Sequence, residues 1–316
     1  MEENKDYDMQ VADKTVKKGL YRFLKEFASG ICIGVAFIIP GFSGGSVAAI
    51  LGIYEKLINA IANIFKEFKK SVITLLPIAL GLATGAVALM FPLGYMLENF
   101  PLPTVSIFVG LALGGVPSLI ADAKGKCTAK SIVAVSVAAL VAALLCFMPV
   151  GSDVNLFDMN FGGYIMLFLV GVLGSSALVV PGISGSMLLL ILGYYNPIVN
   201  LLTDHLFRFD NVAACFLVLA VCGLGAATGF LLISVLMKEL LRKYRTVTYF
   251  AIVGFIVGSL PTVYVSTMKE AGMISSSLAA IRLPESEFHY VLCVALVLLA
   301  ASASYFFSRL AAKKKT

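Results

Sequence analysis

The sequence predicts an all-α polytopic integral membrane protein made of two inverted-topology repeats. Each repeat is expected to hold a re-entrant helical hairpin and three transmembrane helices, giving six full spans and two hairpins. Three observations predict this. The chain is 59% hydrophobic and 13% charged, against about 25% charged in soluble chains. A Pro-Gly-x-Ser-Gly break occurs twice, each time inside an apolar run. Lysine and arginine gather in alternate loops. The alternating pattern of a membrane β-barrel is absent.

Taken in order, residues 1–26 form a polar, basic arm, and residues 27–316 form a single membrane domain. Repeat 1 covers about 27–150 and repeat 2 about 163–310. The region 27–65 is apolar and is split by the first break. Apolar segments follow at about 71–97, 104–121 and 131–150. The order then recurs: a split region at about 163–203, then segments at 212–237, 247–266 and 289–308. The first 25 residues mix Asp and Glu with Lys and Arg, and the first apolar run ends in Pro-Gly, unlike a cleaved leader.

The duplication extends beyond the breaks. Ile39-Pro40-Gly41-Phe42-Ser43-Gly44-Gly45-Ser46 with Leu51-Gly52-Ile53-Tyr54 matches Val180-Pro181-Gly182-Ile183-Ser184-Gly185-Ser186 with Leu192-Gly193-Tyr194-Tyr195, at an offset of 141. Gly81 and Gly85 match Gly225 and Gly229, Gly110 and Gly114 match Gly254 and Gly258, and Pro117 matches Pro261, all at an offset of 144. One unit is therefore used twice. The paired glycines have the G-x-x-x-G spacing of close helix packing.

The stretch from Ala28 to Ile39 makes a helix of about 18 Å, short of a hydrocarbon core of about 30 Å. A hairpin that dips and returns is the simplest geometry. Three crossings then place repeat 2 on the opposite side. Charge agrees. Six Lys/Arg lie in 1–26, three in 66–70, three in 122–130, four in 238–245 and four in 309–316, twenty of the 24 in the chain. The other side receives Arg208, Lys269 and Arg282, and Lys56 lies within the hairpin. The positive-inside rule then puts both termini in the cytoplasm.

Proline and glycine break helices, and broken backbone at membrane depth survives only when buried in protein or lining a wet cavity. Matching breaks in two halves mark a transporter's central site. The helix after each break would offer unpartnered N–H groups and a positive dipole end. Gly lets a ligand approach the backbone and Ser adds hydroxyl donors, which together suit an anion. The candidate substrate-binding residues are Pro40, Gly41, Ser43, Gly44, Gly45, Ser46, Pro181, Gly182, Ser184, Gly185 and Ser186. Chain turning alone is the competing explanation.

Glu55, Lys56 and Arg208 are candidate headgroup or coupling residues. Glu55 and Lys56 would sit about 15 Å along a helix from Ser46, as a headgroup guide and proton carrier or as an interfacial anchor. Tyr54 and Tyr195 read as aromatic-belt residues. Gly-x-Ser-Gly also resembles the surroundings of intramembrane serine protease nucleophiles. A nucleophilic Ser needs a base within reach, and His205 and His289 map to the outer boundary, so no catalysis is expected. The cysteines form no C-x-x-C pair and there are two histidines, so neither metal nor other cofactor is expected. The net charge of +6 lies in loops and does not indicate nucleic acid.

The doubled motif, with Leu51-Gly52-Ile53-Tyr54-Glu55-Lys56 after its first copy, resembles the PopT-type undecaprenyl-phosphate translocase family of bacteria, once a domain of unknown function. The resemblance spans about residues 20–310. The second copy departs from it, with Ser186 where the first has Gly45 and no Glu-Lys pair. The resemblance implies a flippase in the plasma membrane that returns the polyprenyl-phosphate lipid carrier from outer to inner leaflet for cell-envelope synthesis. Its partners would be that lipid and the surrounding membrane lipids. A chloride-like channel or exchanger is the alternative, since such transporters also use Ser-Gly-rich helix ends in inverted repeats.

Overall fold

The computed structural model of the chain describes residues 19–36, 43–149, 151–201, 212–270 and 287–313. These residues are all-helical: α1 (19–36), α2 (Gly44–Ile50), α3 (Tyr54–Ala62), α4 (Phe68–Asn99), α5 (Pro101–Asp122), α6 (Ala129–Phe147), α7 (Phe161–Val179), α8 (Gly185–Ile191), α9 (Tyr195–Asn200), α10 (Val212–Lys243), α11 (Arg245–Glu270) and α12 (Glu287–Lys313). Six helices among them are long and apolar enough to cross a membrane: α4, α5, α7, α10, α11 and α12. The all-α class with several membrane-length apolar helices is what the structure shows. One exchange is notable. The sequence reading made α6 a crossing and α7 a hairpin limb, whereas by length α7, with 19 residues, qualifies and the Ala129–Leu145 stretch is shorter. Large apolar side chains such as Val87, Phe91, Leu224, Leu232, Val291 and Leu299 are exposed, as lipid-facing surface requires.

The repeated glycines hold the bundle together. Gly81 and Gly85 of α4 lie against the Phe27 and Ile31 backbone of α1, and Gly225 and Gly229 of α10 lie against that of Phe168 and Val172 in α7. The two pairs of contacts are related by the offsets found in the sequence. A Cβ at any of these glycines would run into a carbonyl oxygen, so the helices pack backbone to backbone. The repeats also exchange partners. Gly110 and Gly114 of α5 lie against Val297 and Ala301 of α12, while Gly254 and Gly258 of α11 lie against Val135 and Ala139 of α6. Such reciprocity is the mark of a two-fold relation.

In all four pairs the residue numbers rise together, so the paired helices run parallel. Since α1 and α4 point the same way, the chain between them doubles back to the side where α1 began. The same holds for α7 and α10. The polar arm does not end at an element boundary, because α1 runs through residue 26. Glu26 is buried there, with the Arg22 Nε donating to it at 2.9 Å and Lys56 of α3 also bonded to it.

Candidate functional site

The second break is described completely. Pro181 cannot continue α7, because it lacks an N–H and clashes with the preceding turn. Gly182 follows at φ +88°, where L side chains are strained, and it is buried. A Cβ there would lie 2.5 Å from the Phe255 carbonyl carbon and 2.7 Å from the Ile256 nitrogen. Those residues are at the middle of α11, so the break sits at half the depth of that helix. Ser184 caps α8, its Oγ accepting from the Met187 N–H at 3.4 Å, and Ser186 Oγ lies 3.0 Å from it. Gly185 is buried, whereas Ser184 and Ser186 are half-buried.

In the first break, Pro40 and Gly41 lie outside the described residues. Ser43, Gly44, Gly45 and Ser46 are all buried. Ser46 N–H donates to the Ser43 carbonyl at 3.0 Å. The Ser43 Oγ caps nothing and has no hydrogen-bond partner among the described residues. A buried hydroxyl in that state carries a desolvation cost of about 1–3 kcal/mol.

The structure brings the two breaks together. An added Cβ on Gly45 would sit 3.2 Å from the Leu178 oxygen, 3.3 Å from the Val179 oxygen and 3.4 Å from the Pro181 Cα. Tyr54, 2% exposed, donates its phenol to the Val179 carbonyl at 2.9 Å. That carbonyl belongs to the last turn of α7. Tyr54 is therefore a strut between the repeats and not a belt residue. Tyr54→Phe will leave the Val179 oxygen without this donor and cost about 1–2 kcal/mol. A thermal-unfolding midpoint equal to wild type in detergent would refute the strut.

The helices after the breaks differ from the sequence reading. Instead of one straight return limb, α2 and α3 are bent by 118°. Gly52, at φ +67°, ends α2: its N–H donates to Ala49 O at 2.9 Å and the Ile53 N–H to Ala48 O at 3.0 Å. Gly193, at φ +76°, ends α8 the same way, through Gly193 to Leu190 at 3.1 Å and Tyr194 to Leu189 at 2.9 Å. These pairs of bonds form the Schellman stop. The Leu-Gly dipeptides thus limit α2 and α8 to 7 residues each, and their dipoles are small.

The same bend corrects the position of Glu55 and Lys56. They begin α3, which turns across the bundle, and do not extend along the line of α2. Both are engaged. Glu55 accepts from Arg245 Nη2 and from the Tyr249 phenol, each at 2.6 Å, and Lys56 pairs with Glu26. Arg245 also donates its Nε to the Asp122 carbonyl at 2.9 Å and lies 5.1 Å above the Tyr249 ring. Lys238 Nζ donates to Asn63 Oδ1 at 2.7 Å just beyond α3. The first repeat's α3 is therefore tied to the second repeat through α7, α10 and α11. On α9, Asn196 instead bonds Asp153 in the loop between the repeats at 3.2 Å. Arg208 lies outside the described residues.

Sequence reasoning missed Arg245, Tyr249, Ser259 and Thr262. Arg245 was visible only as one of a basic cluster. Ser259 and Thr262 flank the matched Pro261; the counterpart of Ser259 is Gly115, so the repeat gives no signal for it, whereas Thr262 matches the hydroxyl residue Ser118.

Comparison with known proteins supplies a family. Residues 33–281 match the family described as undecaprenyl phosphate translocase-like. The chain is 33% identical over 242 residues to a polyprenyl-phosphate transporter of Staphylococcus aureus, covering 74% of this chain and 84% of that one. It is 26% identical over 256 residues to a polyprenyl-phosphate transporter of Vibrio cholerae, covering 77% and 78%. No solved structure matches.

Proposed function

Because the chain belongs to the undecaprenyl phosphate translocase-like family, we propose that it carries polyprenyl phosphate across the bacterial plasma membrane. The direction is outer to inner leaflet, recycling the lipid carrier of envelope synthesis. The observation that carries this reading is the meeting of the two breaks, Gly45 against Leu178–Pro181, beside the middle of α11. A polyprenyl phosphate is an anion on an apolar tail. Its headgroup needs a polar station at half depth, and its tail remains in lipid.

The candidate binding set is Pro40, Gly41, Ser43, Gly44, Gly45, Ser46, Pro181, Gly182, Ser184, Gly185 and Ser186. With α2 and α8 so short, the hydroxyls and backbone amides of the breaks do more of the binding than helix dipoles. The parallel pairing of α1 with α4 and of α7 with α10 supports hairpins that return to their own side. The distribution of Lys and Arg supports cytoplasmic termini. In this orientation α3 lies over the cytoplasmic mouth. Glu55 and Lys56 act there as fasteners in the closed form and reach the headgroup only when α3 moves, while the charge distribution assigns Arg208 to an outer loop. The protein is a carrier and does no bond chemistry.

Vesicles reconstituted with the protein test this. Labelled polyprenyl phosphate will change leaflet in protein-containing vesicles and not in empty ones, without chloride flux. Chloride flux alone would replace this reading with that of an anion channel.

A further inference from the structure

We infer that Thr262 and Ser259 of α11 complete the phosphate-monoester site at the second break, a role that rests on the transport reading above. A small cleft between α6, α8 and α11 is lined by Gly182, Ser184, Met187, Ser259 and Thr262, with Ala142 and Leu145 of the first repeat forming its far wall. Thr262 is 5% exposed, and its Oγ1 has no hydrogen-bond partner among the described residues. Helical Ser and Thr normally satisfy themselves by donating to a carbonyl one turn back. In this chain Thr84, Ser106, Thr228, Ser234 and Thr248 all do so. Thr262 does not, and nor does the buried Thr267, but of the two it is Thr262 that lines the cleft, where its hydroxyl is a donor open to a ligand.

The neighbouring groups define the chemistry. Ser184 Oγ accepts from Met187 N–H and lies against Ser186 Oγ. Ser259 Oγ donates to the Ile256 carbonyl at 2.9 Å, which leaves it acceptor capacity only. No lysine or arginine lines the cleft. The site thus pairs a free hydroxyl donor with a hydroxyl acceptor. A phosphate monoester matches it, since near neutral pH part of the population retains one P–OH (second pKa about 6) beside its charged oxygens. The absence of a fixed cation lets the headgroup leave again.

The two repeats are unlike at this point. Where the second has Ser259, the first has Gly115, and an added Cβ there would strike the Ile50 side chain. Ile50 packs directly against Gly115 in the first repeat. The cleft has room for little more than a water molecule, so the headgroup enters as α6 and α8 part.

The test compares wild type, Thr262→Val and Thr262→Ser. Thermal unfolding in detergent is titrated with farnesyl phosphate, and leaflet movement of labelled polyprenyl phosphate is measured in vesicles. Valine removes the unpartnered hydroxyl at nearly constant shape, so ligand-free Thr262→Val will be at least as stable as wild type. Its affinity for farnesyl phosphate and its transport rate will fall about tenfold or more, as for a lost hydrogen bond to a charged group. Thr262→Ser will retain both. Equal stabilisation of wild type and Thr262→Val by farnesyl phosphate overturns the assignment and leaves the transport reading intact, as does failure of the ligand to stabilise wild type that still transports. Thr262-dependent stabilisation in a wild type that moves no lipid overturns the transport reading and upholds the cleft.

Discussion

Gly182→Ala will abolish transport and destabilise the protein by about 2–5 kcal/mol. Two costs add. A non-glycine residue in the left-handed region costs about 1–2 kcal/mol, and Gly182 stands at φ +88°. Overpacking costs about 1–3 kcal/mol, and an added Cβ would meet the Phe255 and Ile256 backbone at 2.5–2.7 Å. Neither neighbour can yield, because both are main chain in the centre of α11. Relief must come from moving the break, which also carries Ser184 and faces Gly45. Gly223 in α10 is the control, since a Cβ there meets nothing within 4 Å. Gly223→Ala should match or slightly exceed wild type, as alanine favours helix by about 1 kcal/mol. Thermal unfolding in detergent and the vesicle assay read both variants. A Gly182→Ala protein with a wild-type midpoint would show that the break is not held against α11.

The second large effect concerns α3. Arg245→Ala will weaken the closure of α3 over the bundle by about 1–2 kcal/mol, and Glu55→Gln by less. The pair is about one-third exposed, at 31% and 32%, so the figure lies between exposed pairs, near 0–1 kcal/mol, and the 3–5 kcal/mol of broken buried ones. Arg245 matters more because it serves three partners: Glu55, the Asp122 carbonyl and the Tyr249 ring. Lysine will not replace it, since a point charge cannot reproduce the planar fork. A double-mutant cycle on Glu55 and Arg245 isolates their coupling. Opening is read at Ser43→Cys, since the native serine at the start of α2 is buried at 5% exposure. Weakening the closure by 1.4 kcal/mol will raise its labelling rate about tenfold. Unchanged labelling in both single variants would mean that α3 is a fixed part of the bundle.

Much of this architecture was legible in the chain. The apolar runs announced the helices, since each must satisfy its own backbone in lipid. The G-x-x-x-G pairs announced close packing, and the structure places every one of those glycines against a neighbouring backbone. Which helix each pair would meet was not legible. Glycine marks a flat surface without naming its partner, so the crossing of α5 to α12 and α6 to α11 belongs to the fold. The breaks were legible as breaks. Their stops were present as Leu51-Gly52 and Leu192-Gly193 but were taken as part of the motif, and so α2 was extended into α3.

The side chains that fasten the breaks were hidden for a related reason. Tyr54 lies 125 residues from Val179, and Glu55 lies 194 from Tyr249. No periodicity links such pairs, and burial alone turns a belt tyrosine into a strut. Thr262 was hidden more thoroughly, because a helical threonine normally bonds to its own turn and only the surrounding cleft shows that this one does not.

The sequence by itself determined the helical membrane class, the duplication and the two sites where helices must break, because hydrophobicity, proline and glycine act locally on the backbone. Only the tertiary structure decided which helices exchange between the repeats, that α3 closes over the second repeat, and that hydroxyls of α8 and α11 line one cleft at the second break. Those outcomes depend on contacts between residues far apart in the chain, as between Tyr54 and Val179 or Glu55 and Arg245.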